Sequence, residues 1–317
     1  MRIAVAAGGK LGTSVLRPLL ESSHEVVAVL QDGRQVRGHR RMTSRWLARL
    51  FGGRDNFLKL AARHKLPVHY IDKMDEPELA PLRSLNIDLL LVSGFAIILK
   101  PALLGLPRIG CVNMHSSLLP RHRGPNPFSA VIVQGDTETG VTFHRIDEGI
   151  DTGDILDQSP FEIGPRDEMI HIYHRACQIA GERVVPLMDR IAREGLRGDA
   201  QDPALATYDR KLTEADAWID WRWSTAKIDR MVRGYPPTVM PRFRFRGDVV
   251  YVAKAQPHAG EPGAVPGTVL RDHQPARIAT ADGALEIRVA FCKRPVPWIW
   301  PSPFSRPSVG ERLEVPE

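Results

Sequence analysis

The stretch Ile87-Asp-Leu-Leu-Leu-Val-Ser93, which ends at Gly94, is a long apolar run in the first third of the chain. Side chains that are apolar on both faces are typical of a central strand in a parallel sheet, because helices cover both sides of it. Similar short runs occur at 3–7, 25–30, 67–71 and 110–114, and segments with helical spacing lie at 11–20 and 56–64. This alternation predicts a doubly wound, mostly parallel α/β sheet of the Rossmann-like kind.

The pattern changes in the second half of the chain. An amphipathic helix is predicted at 167–193, and the residues that follow it are polar and irregular. Short strand patterns then alternate with turn residues such as Gly247 and Gly267, which predicts a small OB-like β-barrel. We therefore expect a catalytic domain at 1–195, a linker at 196–208 and a C-terminal β-barrel domain at 209–317.

Charge is unevenly distributed along the 317 residues. The formal net charge is +6, but residues 31–65 alone contain ten basic side chains against two acidic ones. Such a segment favours an anionic partner. The three cysteines have no metal-like spacing, so no metal site is expected. No stretch is long and apolar enough for a membrane span, and the N-terminus has no signal-peptide pattern, so a cytoplasmic location is expected.

Asn113 and His115 lie two residues apart at the end of a predicted strand, so their side chains share one face. In open α/β sheets, sites form at the carboxyl ends of the strands. Asp151 lies further on, in a Gly-Ile-Asp-Thr-Gly loop where small residues allow close approach. An amide can donate to an oxyanion, an imidazole can exchange a proton, and a carboxylate can orient the imidazole. These three residues are therefore the candidate catalytic group.

A covalent nucleophile is not indicated. Ser116 and Ser117 follow His115 but lack the Gly-x-Ser-x-Gly elbow of a serine nucleophile. Direct attack by a substrate amine on an acyl donor therefore fits the residues better than a covalent intermediate.

The motifs Asn113-Met-His115, Ser-Leu-Leu-Pro at 117–120, Arg123-Gly124 and Asp-Glu-Gly-Ile-Asp-Thr-Gly at 147–153 resemble those of the folate-dependent formyltransferases. The likeness covers nearly the whole chain and is greatest to the methionyl-tRNA formyltransferases. It implies that the donor is 10-formyltetrahydrofolate, that Asn113 and His115 stabilise an oxyanion, and that Asp151 holds His115 and assists proton transfer. It also implies a pterin groove, formed by Gly94, Phe95, Ile97, Ile98, Leu99, Ser117, Leu118, Leu119, Pro120, Asp147, Gly149 and Ile150.

The acceptor amine is the open point. The basic segment favours methionyl initiator tRNA, with Arg40, Arg41 and Arg45 as candidate phosphate contacts. In contrast, Pro125-Asn-Pro127 resembles formyltransferases that act on amino sugars or other small amines. Hydrolysis of the formylfolate, with water as acceptor, is a third possibility. An inactive RNA-binding relative is disfavoured because the three candidate catalytic residues are all present.

Overall fold

The computed structural model describes residues 1–35, 57–272, 275–292, 302–303 and 307–314. The predicted tRNA contacts Arg40, Arg41 and Arg45 lie outside these residues. The chain forms two compact units. Unit 1 comprises Met1–Pro127, Glu138–Glu162 and Ile172–Asp209, and unit 2 comprises Phe128–Thr137, Ile163–His171 and Arg210–Glu317. The predicted linker, 196–208, thus falls within unit 1.

Unit 1 contains a seven-stranded sheet with the order β3-β2-β1-β4-β5-β6-β7. The pairs from β3 to β5 are parallel, whereas β5–β6 and β6–β7 are antiparallel. The mostly parallel α/β sheet predicted from the sequence is therefore confirmed, with an antiparallel edge. The strands are β1 (Arg2–Ala7), β2 (Glu25–Asp32), β3 (Val68–Ile71), β4 (Leu89–Ser93), β5 (Gly110–His115), β6 (Glu138–Arg145) and β7 (Ile155–Glu162).

The central position of β4 explains the apolar run in the sequence. All five of its residues are buried, because β1 and β5 flank it. The predicted helix at 167–193 is observed at Met169–Glu194, and the apolar side of that helix is buried. The α-helices are α1 (Gly9–Leu20), α2 (Phe57–Arg63), α3 (Glu76–Arg83), α4 (Pro101–Leu104), α5 (Pro127–Gln134), α6 (Met169–Glu194) and α7 (Thr225–Gly234).

Unit 2 contains an antiparallel sheet with the order β10-β11-β12-β9-β8, and β13 pairs with β12. The ring of Trp221 is fully buried and lies edge-on to Phe243, with ring centroids 5.3 Å apart. The small C-terminal unit of antiparallel strands predicted from the sequence is therefore confirmed. Its strands are β8 (Arg242–Phe245), β9 (Asp248–His258), β10 (Val269–Arg271), β11 (Ala276–Ala279), β12 (Ala284–Cys292) and β13 (Ser302–Pro303).

Helices in the described ranges are too short or too polar to cross a membrane.

Candidate active site

The three candidate catalytic residues meet at one edge of the sheet in unit 1. Asn113 and His115 lie at the carboxyl end of β5, and Asp151 lies in the loop between β6 and β7. Asn113 Nδ2 lies 3.4 Å from Asp151 Oδ1, and His115 Nδ1 lies 3.6 Å from Asp151 Oδ2. The amide and the imidazole therefore both face one carboxylate.

A fourth polar side chain, His144, joins this group. The antiparallel register of β5 and β6 places His144 opposite Asn113, and its Nε2 lies 3.1 Å from Asn113 Nδ2 and 3.4 Å from Asp151 Oδ1. Its Nδ1 donates to the Arg145 carbonyl at 2.8 Å, so in the neutral ring Nε2 is an acceptor. The sequence analysis did not single out His144. The available signal was an imidazole at the end of the apolar run 141–143.

Asp151 is held as a carboxylate in an unusual backbone conformation. Its φ is +53°, in the left-handed region, and its Oδ2 accepts a hydrogen bond from the Gly124 N–H at 2.9 Å. Burial by itself would raise the pKa of Asp151. The nearby rings of His144 and His115 and the hydrogen bond from the Gly124 N–H outweigh burial and lower this pKa to about 2. Asp151 is therefore ionised at neutral pH.

His115 is buried, and its tautomer is set by a backbone contact. Its Nε2 donates to the His122 carbonyl at 2.8 Å, which leaves Nδ1 as the acceptor atom on the side of Asp151. Burial lowers the pKa of His115, and although Asp151 acts in the opposite direction, the net shift is downward. The ring is therefore neutral at neutral pH, and its Nδ1 can accept a proton beside an ionised carboxylate.

The predicted groove loop at 94–99 directs its side chains in two ways. Phe95, Ile97 and Leu99 pack against the core of unit 1, whereas Ile98 points outward and is 78% exposed. Gly94 has a φ of +63°, and a Cβ there would lie 3.1 Å from Leu11 Cδ1. Ile98 is thus the side chain of this loop that is available to a ligand.

The Ser-Leu-Leu-Pro turn at 117–120 is fixed by its neighbours. Ser117 Oγ donates to the Arg121 carbonyl at 2.7 Å, and Leu119 is buried. The Leu119 carbonyl accepts from Gln158 Nε2 at 2.9 Å, and the Leu119–Pro120 peptide bond is cis. Leu118 and Pro120 remain half-buried. The side chains of Ser117 and Leu119 therefore shape the turn, and its outer surface is left to Leu118 and Pro120.

Asp147, a predicted groove residue, forms hydrogen bonds within the loop in which it lies. Asp147 Oδ1 accepts from Thr152 Oγ1 at 2.6 Å and from Gly149 N at 3.1 Å. A Cβ on Gly149 would lie 2.0 Å from Thr152 Oγ1, so this turn requires a glycine. Ile150, at the outer end of the loop, is 53% exposed. The conformation of the loop presents an apolar side chain next to Asp151.

Residues 201–209, most of which were predicted to belong to the linker, contact both sides of the site. Gln201 Nε2 donates to the Asp151 and Gly153 carbonyls, and Arg123 donates to Gln201 Oε1. His122 Nδ1 lies 2.7 Å from Asp209 Oδ2. These contacts could not be predicted, because the polar composition of 196–208 resembles that of any exposed connection.

Comparisons with known proteins identify the family of this chain. A family described as "Formyl transferase" matches residues 1–187, and "Formyl transferase, C-terminal domain" matches residues 211–297. The chain therefore belongs to the formyl transferase family and is a formyltransferase. Among named relatives, it is 34% identical over 309 residues to the methionyl-tRNA formyltransferase of Acidiphilium cryptum (strain JF-5), which covers 93% of this chain and 92% of the relative.

Solved structures share the fold at lower sequence identity. The N-formyltransferase from Helicobacter canadensis, in complex with folinic acid and dTDP-3-aminofucose, aligns with a TM-score of 0.66 at 19% identity, over 90% of this chain and 97% of that one. WlaRD, a sugar 3N-formyltransferase crystallised with dTDP and 5-N-formyl-THF, aligns with a TM-score of 0.65 at 17% identity, over 92% and 97%. Both share the α/β architecture described above.

Proposed function

We propose that this enzyme transfers the formyl group of 10-formyltetrahydrofolate to the amino group of methionyl initiator tRNA. The observation that supports this reaction is that Asn113 and His115 both lie within 3.6 Å of the Asp151 carboxylate, at the carboxyl edge of the sheet. The similarity to the Acidiphilium cryptum enzyme over both parts of the chain supports this acceptor.

A reduced folate is the proposed donor. Family membership and the folates bound to the two structural neighbours support it. Ile98 and Ile150 are large apolar side chains that are more than half exposed, one on each of two predicted groove loops. Apolar side chains on such loops suit a flat, partly apolar ring such as a pterin. The assignment of the remaining groove residues to the pterin site stays a prediction from the sequence.

The chemistry follows from the protonation states. The amine nitrogen attacks the formyl carbon, a C–N bond forms, and the formyl oxygen becomes an oxyanion. Asn113 Nδ2 donates to that oxyanion, and its long 3.4 Å contact with Asp151 is the one that such a donation replaces. His115 Nδ1 takes the proton of the attacking amine, and ionised Asp151 stabilises the imidazolium. Collapse of the intermediate breaks the bond to the folate nitrogen, which takes up this proton.

The excess of basic side chains in residues 31–65 supports tRNA as the acceptor. Residues 31–65 hold ten basic side chains, and Arg40, Arg41 and Arg45 are proposed to contact tRNA phosphates. An amino-sugar nucleotide carries only the negative charge of one diphosphate, so its pocket does not need a charge excess of this size. The second candidate acceptor is an amino sugar or another small amine, and Pro125-Asn-Pro127 is the observation that favours it.

Direct competition between acceptors tests the proposal. The enzyme is incubated with 10-formyltetrahydrofolate and either methionylated initiator tRNA or a panel of amino-sugar nucleotides, and the formylated product and free formate are measured. Formyl-methionyl-tRNA as the main product supports the proposal. Formylation of a sugar alone contradicts the tRNA assignment, and formate release at full rate without any amine indicates a hydrolase.

A further inference from the structure

We infer that Gln201 is a positioning residue for the reaction, because its side-chain amide fixes the backbone of the loop that carries Asp151. The inference rests on the proposed function of Asp151. Gln201 Nε2 donates to the Asp151 carbonyl at 2.9 Å and to the Gly153 carbonyl at 2.7 Å. Both N–H groups of one amide therefore hold the two carbonyls on either side of Thr152.

The orientation of this amide is determined by its partners. Arg123 donates to Gln201 Oε1 from Nε at 3.2 Å and from Nη2 at 2.7 Å. A guanidinium can only donate and a backbone carbonyl can only accept, so the amide oxygen must face Arg123 and the nitrogen must face the loop. All the hydrogen-bonding capacity of the Gln201 amide is used, which leaves the side chain one favourable orientation.

Arg123 provides a fixed support for Gln201. It is 5% exposed, its Nη1 donates to Tyr208 Oη at 2.6 Å, and its guanidinium lies 5.3 Å from the centre of the Tyr208 ring. Its backbone pairs with the 201–209 segment through Thr207 and Asp209. The next residue, Gly124, donates its N–H to the Asp151 carboxylate. Gly124 therefore holds the carboxylate of Asp151 directly, and Arg123 holds the backbone of Asp151 indirectly, through Gln201.

The Asp151 loop needs such support. A φ of +53° is unfavourable for a residue with a Cβ, although aspartate tolerates it better than most. The loop also passes close to β6, since a Cβ on Gly153 would lie 2.0 Å from the Arg145 carbonyl oxygen. Residues in such conformations persist where surrounding contacts hold them. Without the Gln201 contacts, the loop is expected to relax and the Asp151 carboxylate to move away from His115 Nδ1.

Two substitutions separate the contacts. Gln201→Glu keeps oxygen atoms for Arg123 but has no N–H for the loop carbonyls, so it releases the loop while retaining the contact with Arg123. Gln201→Met removes both contacts and adds no charge. Leu205→Ser is the matched control, because Leu205 lies in the same 201–209 segment and is 60% exposed.

Amide hydrogen exchange of residues 147–154 in the free enzyme, together with steady-state kinetics, tests the inference. We expect faster exchange in both Gln201 variants and a decrease in kcat of about 10- to 100-fold, as for a misplacement of roughly 1 Å. The decrease is expected to exceed any rise in KM for the donor. Leu205→Ser is expected to match the wild type in both measurements.

Two results overturn the inference: wild-type exchange of the loop in Gln201→Glu, or a wild-type kcat despite faster exchange. In the first case, any loss of kcat arises outside the loop. Exchange is measured without donor or acceptor. If wild-type enzyme formylates no amine, the proposed function therefore fails separately, while faster exchange still supports the role of Gln201 in fixing the loop.

Discussion

The charge of Asp151 links the side chains of the site. One carboxylate contacts Asn113, His115, His144 and the Gly124 N–H. These contacts lower its pKa to about 2 despite burial, so it remains negative beside a neutral His115. In the proposed mechanism, this charge stabilises the positive charge that arises on His115 when the substrate amine gives up its proton.

The first prediction concerns a variant that removes the charge of Asp151 but keeps the shape of its side chain. Asp151→Asn is expected to lower kcat by about 10²–10⁴-fold, the usual contribution of acid–base catalysis, because no anion then stabilises the imidazolium. His115→Ala is expected to abolish transfer because it removes the group that takes the proton of the amine. Single-turnover formylation measures the loss, and circular dichroism checks the fold. Asp154→Asn, in the same loop, is the matched control, and near-normal turnover of Asp151→Asn would reject the assignment.

The second prediction concerns stability against pH. His115 has a folded-state pKa below 6.5, so as pH falls below 6.5 the unfolded chain takes up a proton that the folded chain does not. The free energy of unfolding therefore falls with acidification. Asp151 adds a further loss between its unfolded pKa of 3.8 and its folded value of about 2. Urea unfolding from about pH 8 to about pH 5 measures the first part.

A His115→Gln variant isolates this contribution, because His24 and His69 also have lowered pKa values and act in the same direction. The variant is expected to be less stable overall but to lose less stability on acidification than the wild type. An equal pH dependence in both proteins would mean that folding does not change the pKa of His115, which contradicts the prediction.

Single residues also show how far sequence reasoning reaches. The placement of Asn113 and His115 was predictable, because strand periodicity and the carboxyl-edge rule are local arguments. The contacts of His144 and Gln201 were not. His144 meets Asn113 through an antiparallel register, and Gln201 reaches Asp151 from 50 residues away in sequence. Contacts that depend on how distant segments pair leave no local periodic pattern.

Among the secondary-structure elements, the antiparallel edge of the unit 1 sheet and the start of helix α7 differ in how far the sequence predicts them. The apolar run 141–143 is compatible with a parallel or an antiparallel strand, so the antiparallel pairing of β6 could not be predicted from it. The start of α7, in contrast, has a local signal in the sequence: Ser224 precedes the helix, and its Oγ accepts from the Lys227 N–H at 3.3 Å. Capping is a contact within four residues, which a sequence displays directly.

The third prediction concerns the charge buried by α7 in unit 2. Asp229 is 4% exposed and accepts from Arg166 Nη1 at 2.7 Å and from Arg233 Nε at 2.8 Å. Asp229→Leu leaves both guanidinium groups without their carboxylate and is expected to lower the free energy of unfolding by about 3 kcal/mol. Urea unfolding measures the change. Ala226→Ser, on the exposed side of the same helix, is expected to change it by less than about 0.5 kcal/mol.

For the whole molecule, the distribution of charge decides which acceptor is favoured. The family matches span both parts of the chain, and the named tRNA enzyme is covered over 92% of its length. The reaction depends on a few side chains at one sheet edge. Binding of a large polyanion, in contrast, depends on many phosphate contacts and on the ionic strength.

The fourth prediction follows from that dependence. Arg40→Glu with Arg41→Glu is expected to raise KM for methionyl-tRNA at least about 10-fold and to reduce its salt dependence, because each lost phosphate contact lowers the slope by about one. KM for the folate donor is expected to stay unchanged. Arg193→Glu with Arg197→Glu makes the same charge change at exposed positions elsewhere. Equal effects of the two double variants would mean that only net charge matters.

The hydrogen bond between Gln201 and the earlier residue Asp151 has a consequence for synthesis of the chain on the ribosome. The strand that carries Asn113 and His115 and the loop that carries Asp151 emerge well before the 201–209 segment. Until that segment has left the exit tunnel, the nascent chain has its catalytic side chains but not the contacts that fix the Asp151 loop. A product truncated after residue 195 stays permanently at this stage, so a shortened enzyme meant to keep full activity has to extend through Asp209.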